Sequence, residues 1–242
     1  MFQSCESLTS INLSSFKTTN VKYMAALFFS CISLQKIDIS NFDMSNVIDM
    51  TLIFYNCSSL TSLDLSNFNT KNAKDMSNFF AYCHNLKSLN LESFDTSKVT
   101  KMNNMFLECR SLTSLDLKTF NTENVLDFSY MFSNCVSLRD IDISTFDTYM
   151  ATDIRSMFYN CQSLTELDLN NFNTYHVIDV SNMFNNCTNL LELNIASFSL
   201  MEVKRYSTVF DGCIHLHLTI VPEYCYKLMS TIPDYVNVTE II

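Results

Sequence analysis

The sequence predicts an α/β array of stacked coils, with a parallel β-sheet on one face and short helices on the other. Three observations carry that prediction. Nine cysteines fall 26 residues apart, from Cys5 and Cys31 to Cys213. A leucine keeps the same spacing nine times, from Leu8 to Leu216, and a phenylalanine does so from Phe2 and Phe28 to Phe210. A second phenylalanine repeats eight times, from Phe16 to Phe198. A fixed period of this length marks stacked structural units rather than one globular core around a pocket.

Each element follows from one repeat, residues 57–83, CSSLTSLDLSNFNTKNAKDMSNFFAYC. Leu63 and Leu65 stand two apart and share one face of a short strand, while Ser62, Asp64 and Ser66 take the other. The second half changes period. Ala73, Met76, Phe79, Phe80 and Cys83 follow three–four spacing, which predicts an amphipathic helix of about two turns. Asn72 with Asp75 three residues on resembles a helix N-cap pair, and Asn46/Asp49 and Asn124/Asp127 repeat it. A two-turn helix is marginal in water and a lone strand has no partner. Stacking answers both needs, with strands about 4.8 Å apart in a parallel sheet.

Composition sets the limits. Hydrophobic residues make up 48% of the 242-residue chain, enough for a continuous core. Gly212, Pro222 and Pro233 are its only glycine and prolines. Turns elsewhere must therefore be built from Asn, Asp, Ser and Thr, whose side chains bond nearby backbone. The pattern predicts an array of about eight repeats over 1–212, then a degenerate ninth repeat and C-terminal cap over 213–242. The net charge of −10 argues against a nucleic-acid groove, which needs a basic stripe. No apolar run is long enough to span a bilayer, so no membrane insertion by this segment is expected. The first residues, MFQSCESL, already lie inside a repeat and carry no export signal, so the array is expected to be a fragment or a processed domain.

The segment L-x-x-L-x-L-x-x-F is a leucine-rich-repeat consensus with Phe where Asn or Cys is common. The full unit, seen in MFLECRSLTSLDLKTFNTENVLDF (105–128) and MFYNCQSLTELDLNNFNTYHVIDV (157–180), resembles the BspA-type leucine-rich-repeat surface proteins of bacteria, in particular the repeat of mycoplasma lipoproteins. The resemblance covers residues 1 to about 218. It implies a right-handed solenoid, a cell-surface or secreted location, and a role in adhesion or host contact. It does not imply an enzyme.

The candidate sites are ladders. The cysteines Cys31, Cys57, Cys83, Cys109, Cys135, Cys161 and Cys187 read as a structural core ladder of small buried hydrophobes. A disulfide or metal array is the rival reading, but a row of side chains pointing one way is not the tetrahedron that zinc takes. The outward strand face carries Asp116, Asp140, Asp142, Glu166, Asp168 and Glu192, carboxylates close enough to repel unless screened or bound. They are the expected partner-binding face, for a basic partner or a weak Ca²⁺ site, against the plainer reading of a solvated polar face. Thr18, Thr70, Thr96, Thr122, Thr148 and Thr174 form a third ladder, read as turn residues bonding backbone, and Thr122→Ala is expected to cost little. Of the four glycosylation-type sequons, Asn56 and Asn186 precede core cysteines, a poor place for a glycan. His215 and His217 read as polar capping residues without a third metal ligand.

No Gly-rich phosphate loop, H-E-x-x-H or isolated Ser/His/Asp set stands out. No catalytic residue, metal or cofactor is expected. The expected function is a monomeric, non-enzymatic binding or adhesion array, part of a bacterial-type surface protein that contacts a protein or glycan ligand. The alternative is an intracellular protein-interaction scaffold, cytoplasmic in location.

Overall fold

The computed structural model describes residues 1–241. Successive repeats lie on one another and hydrogen-bond at a constant offset, so the core is a row of like side chains rather than one centre. Regular strands occur late in the chain: β1 (Ser114–Asp116), β2 (Asp140–Asp142), β3 (Glu166–Asp168), β4 (Glu192–Asn194), β5 (His217–Ile220) and β6 (Asn237–Glu240), with one helix, α1 (Pro222–Met229), before β6. Every pairing is parallel, in the order β1-β2 and β3-β4-β5-β6. The register repeats at 26 residues, Leu115 opposite Ile141 and Leu167 opposite Leu193. Earlier repeats make the same approach more sparsely, through the Asn12–Asp38 bridge and single bonds such as Lys87 N–H to the Thr61 carbonyl at 3.2 Å. The sheet is therefore narrower than an array of nine strands.

The expected short helices do not form. Residues 1–212 contain no α-helix, and the second half of each repeat is a run of turns. Alternate N–H groups there point to the next coil instead of four residues back. Met76, Asn78, Phe80 and Tyr82 donate to the carbonyls of Lys101, Asn103, Met105 and Leu107 at 2.7–3.1 Å. The residues between close tight turns, Phe79 N–H on Met76 and Cys83 N–H on Phe80. Two left-handed residues four apart, such as Asn78 (φ 59°) and Tyr82 (φ 64°), would break any helix. Repeated three-residue closures bury one side chain in three or four, so they copy the apolar spacing of a helix.

The proposed N-caps are corrected with the helices. Asp49, Asp75 and Asp127 each accept the N–H two residues on, at 2.9–3.0 Å, which is an Asx turn. Asn46, Asn72 and Asn124 send their amides to the preceding coil, onto the carbonyls of Thr19, Ser45 and Ser97.

The core is built of columns. Phe28, Phe54, Phe80, Phe106, Phe132, Phe158, Phe184 and Phe210 stack face to face with centroids 5.4–5.9 Å apart. The seven ladder cysteines are fully buried and free of disulfides. Each thiol has a job that the sequence did not show. Cys57 S–H donates to the Phe28 carbonyl at 3.1 Å, Cys83 to Phe54, Cys109 to Phe80, and so on along the stack. Each coil thereby satisfies a second lone pair on a carbonyl of the coil before it. The donor must stay protonated, and burial pushes the Cys83 and Cys135 thiols up to about 12. A thiol reagent at pH 8 is therefore expected to modify the half-buried Cys5 quickly and the buried nine only after denaturant is added. Fast reaction of several thiols in the native protein would contradict this packing.

The threonine ladder is also internal. Thr122 is 1% exposed; its hydroxyl donates to the Asp147 carbonyl at 2.9 Å and accepts the Asp147 N–H at 2.7 Å. Thr18 and Thr148 repeat the pair of bonds. Thr122→Ala would remove both bonds, so a larger cost than the sequence suggested is expected. The expected loss is about 1–3 kcal/mol in a urea melt.

Candidate functional site

The six predicted carboxylates sit on β1–β4, in strands whose alternation turns one leucine or isoleucine inward between two polar residues. Asp116 lies opposite Asp142, and Glu166 opposite Glu192; Asp140 faces Ser114 and Asp168 faces Asn194. The six thus fall into two groups of three, on either side of the break between β2 and β3. All are exposed except Asp142, which is half-buried.

Two columns with different duties make up this face. Asn12, Asp38, Asp64, Asn90, Asp116, Asp142, Asp168 and Asn194 occupy the strand end, and every one accepts the N–H two residues on at 2.9–3.1 Å. Asn and Asp serve that turn equally well, so the column is fixed by geometry and its charge is incidental. The Ser144 hydroxyl and N–H hold the Asp142 carboxyl below its usual range, helped by Lys118 at 3.3 Å. The column two residues earlier has no such duty. It reads Ser10, Lys36, Ser62, Ser88 and Ser114, then turns acidic at Asp140, Glu166 and Glu192. A binding preference would be written there. Glu166, Asp168 and Glu192 frame a shallow hollow of about 250 Å³. His217 Nδ1 reaches Glu192 at 3.6 Å, and its Nε2 lies 2.7 Å from the Thr239 hydroxyl, so this histidine joins β4 to β6.

A second charged row, missed in the sequence, runs along the turn side. Tyr23, Asp49, Asp75, Lys101, Asp127, Asp153, Asp179 and Arg205 bridge one another in succession. Asp179 is 2% exposed. Burial alone would raise its carboxyl, but the bonds from Arg205 and Ser181 outweigh burial and hold it below the usual value. Asp153 is raised, chiefly by burial. Arg155 spans the two, 3.6 Å from Asp153 and 3.8 Å from Asp179. The row stitches coils together, and Arg205 in this column of acids answers the buried Asp179. Its signal was present in the 26-residue columns.

Among the described residues no group of three or more His, Cys, Asp or Glu could hold a metal ion. No helix among them is long and apolar enough to cross a membrane. Asn56 and Asn186 point their amides at Ser30 and Asn160 of the preceding coil, which occupies the atoms a glycan would need.

The repeat also decides the kinship of the chain. The family described as "Mycoplasma protein of unknown function, DUF285" matches residues 1–89, 74–190 and 114–221. The chain belongs to this family. The three DUF285 matches overlap, as an array of near-identical units requires, and together they cover the stacked coils, β1 to β5 and the cysteine ladder. A comparison with curated proteins found no match. The DUF285 description names no activity, so the exposed columns are the available guide to function.

Proposed function

We propose that this chain is a non-enzymatic binding array of the BspA-like, leucine-rich-repeat type, a right-handed solenoid in a surface protein that contacts host protein through its strand face. The observation that supports this reading is the acidic turn of a column that makes no Asx-turn bond: Asp140, Glu166 and Glu192 follow Ser62, Ser88 and Ser114. Exposed carboxylates on adjacent strands repel one another, and a basic partner relieves that repulsion. The cap reading of the last segment is supported by β6 pairing with β5 and by the buried Cys225 and Leu228 of α1, the Cys225 thiol donating to the Phe198 carbonyl at 3.5 Å.

The test compares the wild-type array with Asp140→Lys/Glu166→Lys/Glu192→Lys for binding to cultured epithelial cells. Loss of at least about tenfold in affinity with an unchanged thermal melt is expected, equivalent to about 1.4 kcal/mol or more. Equal binding would remove the acidic face from consideration. The ten free cysteines favour a second reading, an intracellular scaffold, because reducing compartments keep thiols unpaired. Protease shaving of intact cells separates the two. Loss of the array's antibody signal without lysis supports the surface reading, and protection until lysis supports the scaffold.

A further inference from the structure

We infer that the hollow above Ser133, on the turn side of the stack, binds a neutral saccharide. Between Gln3 and Asn185 one position of the repeat carries Phe29, Tyr55, Leu107 and Tyr159, and the small residues Ala81 and Ser133 interrupt it. Ser133 is buried, with Leu107 in the coil before it and Tyr159 in the coil after. Coils about 4.8 Å apart that lack one bulky side chain leave a gap about 10 Å wide. The resulting hollow holds about 410 Å³, within the range of about 300–1,000 Å³ usual for small-molecule sites.

Tyrosines and a glutamate stand in left-handed backbone among the asparagines of the lining: Tyr82 (φ 64°), Glu108 (φ 63°) and Tyr130 (φ 57°) beside Asn104, Asn134 and Asn182. Tyr82, Tyr130 and Tyr159 are half-buried walls. Their hydroxyls have no hydrogen-bond partner among the described residues. The Arg155 guanidinium sits over the Tyr130 ring at 5.7 Å and fixes it in place.

The chemistry selects the ligand. A tyrosine face is electron-rich and takes the C–H face of a sugar ring, while its hydroxyl stays at the wet edge. The Asn104 amide both donates and accepts, which suits neighbouring sugar hydroxyls. Glu108 is already paired with Arg110 Nε at 2.6 Å, so it leaves little uncompensated charge at the rim. No Lys or Arg lines the hollow to hold a phosphate or a carboxylate. None of these residues belongs to β1–β4, so the site is independent of the proposed strand-face contact.

Saturation-transfer NMR with the methyl glycosides of glucose, galactose, mannose and N-acetylglucosamine tests the assignment. Transfer to at least one is expected. Ser133→Leu should abolish it with an unchanged melt, because Leu107 shows that the fold accepts leucine at this position. Tyr130→Ala and Tyr159→Ala should each weaken binding about tenfold, the order expected for one lost stacking surface. They decide the matter alone if Ser133→Leu fails to fold. Asp140→Lys/Glu166→Lys should leave binding unchanged. Transfer to none of the four sugars, or binding that survives the tyrosine variants, would overturn the inference. So would binding lost only in the strand-face variant.

Discussion

Raising the pH from 7 to 10 is expected to lower the stability of this protein steeply. Cys57, Cys83, Cys109, Cys135, Cys161 and Cys187 are fully buried. In all six, burial first and foremost lifts the thiol above its ordinary value near 9. A group raised in the folded state adds stability that is complete below the unfolded value and is lost as pH climbs towards the folded one. The window therefore opens at about pH 9 and extends to about 12 and beyond. At pH 10 an unfolded thiol has shed about nine-tenths of its proton, which favours unfolding by about 1.4 kcal/mol. Several such thiols together take a large share of the about 5–15 kcal/mol of an ordinary domain. Urea midpoints measured from pH 7 to 10 should fall steeply above 9, with a slope near pH 10 of at least about six protons. Cys109→Ala/Cys135→Ala should make the slope shallower. A midpoint that stays flat to pH 10 would refute the protonated ladder.

Phe132→Ala is expected to cost about 3–5 kcal/mol, the usual toll for emptying a buried phenylalanine site. Phe132 is fully buried between Phe106 at 5.7 Å and Phe158 at 5.4 Å. Its position in the row matters. The coils on either side are held by their own ladders and cannot close the gap without breaking the register, so relaxation is limited. The loss should exceed that of Thr122→Ala in the same urea assay. Equal losses would mean that the two halves of the coil are not packed as described. The carbonyl of Phe132 would still accept the Cys161 thiol, so the change isolates packing from hydrogen bonding.

The columns were legible in the sequence because burial restricts side-chain type, and a residue that meets its own copy on both sides repeats without drift. The inward Leu115 and the outward Asp116 followed from alternation alone. The helices were not legible from Met76, Phe79, Phe80 and Cys83, since tight turns and helices share that apolar spacing. The signal that separates them lay in the same segment. Asn78, Asn104 and Asn182 recur in the middle of it, and asparagine enters left-handed backbone far more readily than it improves a helix interior. On the strand face the strict Asn/Asp column drew attention because it is charged, although its constancy reflects turn geometry. The column beside it, at Asp140, Glu166 and Glu192, makes no such turn bond and drifts from serine to acid. The hollow at Ser133 could not be seen until the turn side was known to be a ladder, because a missing side chain has meaning only against its neighbours in the column.

The turn-side hydrogen bonds have a mechanical consequence. They run from each coil to the next, along the line on which the array would be pulled if its two ends were held apart. Tension then loads the junctions in series, and the weakest gives way while the others hold. Each released coil frees 26 residues, or about 90 Å of extended chain at about 3.4 Å per residue, in place of one coil spacing of about 4.8 Å. A stack of this kind lengthens in steps under load and dissipates the work coil by coil, as a tether does when it gives before its anchor.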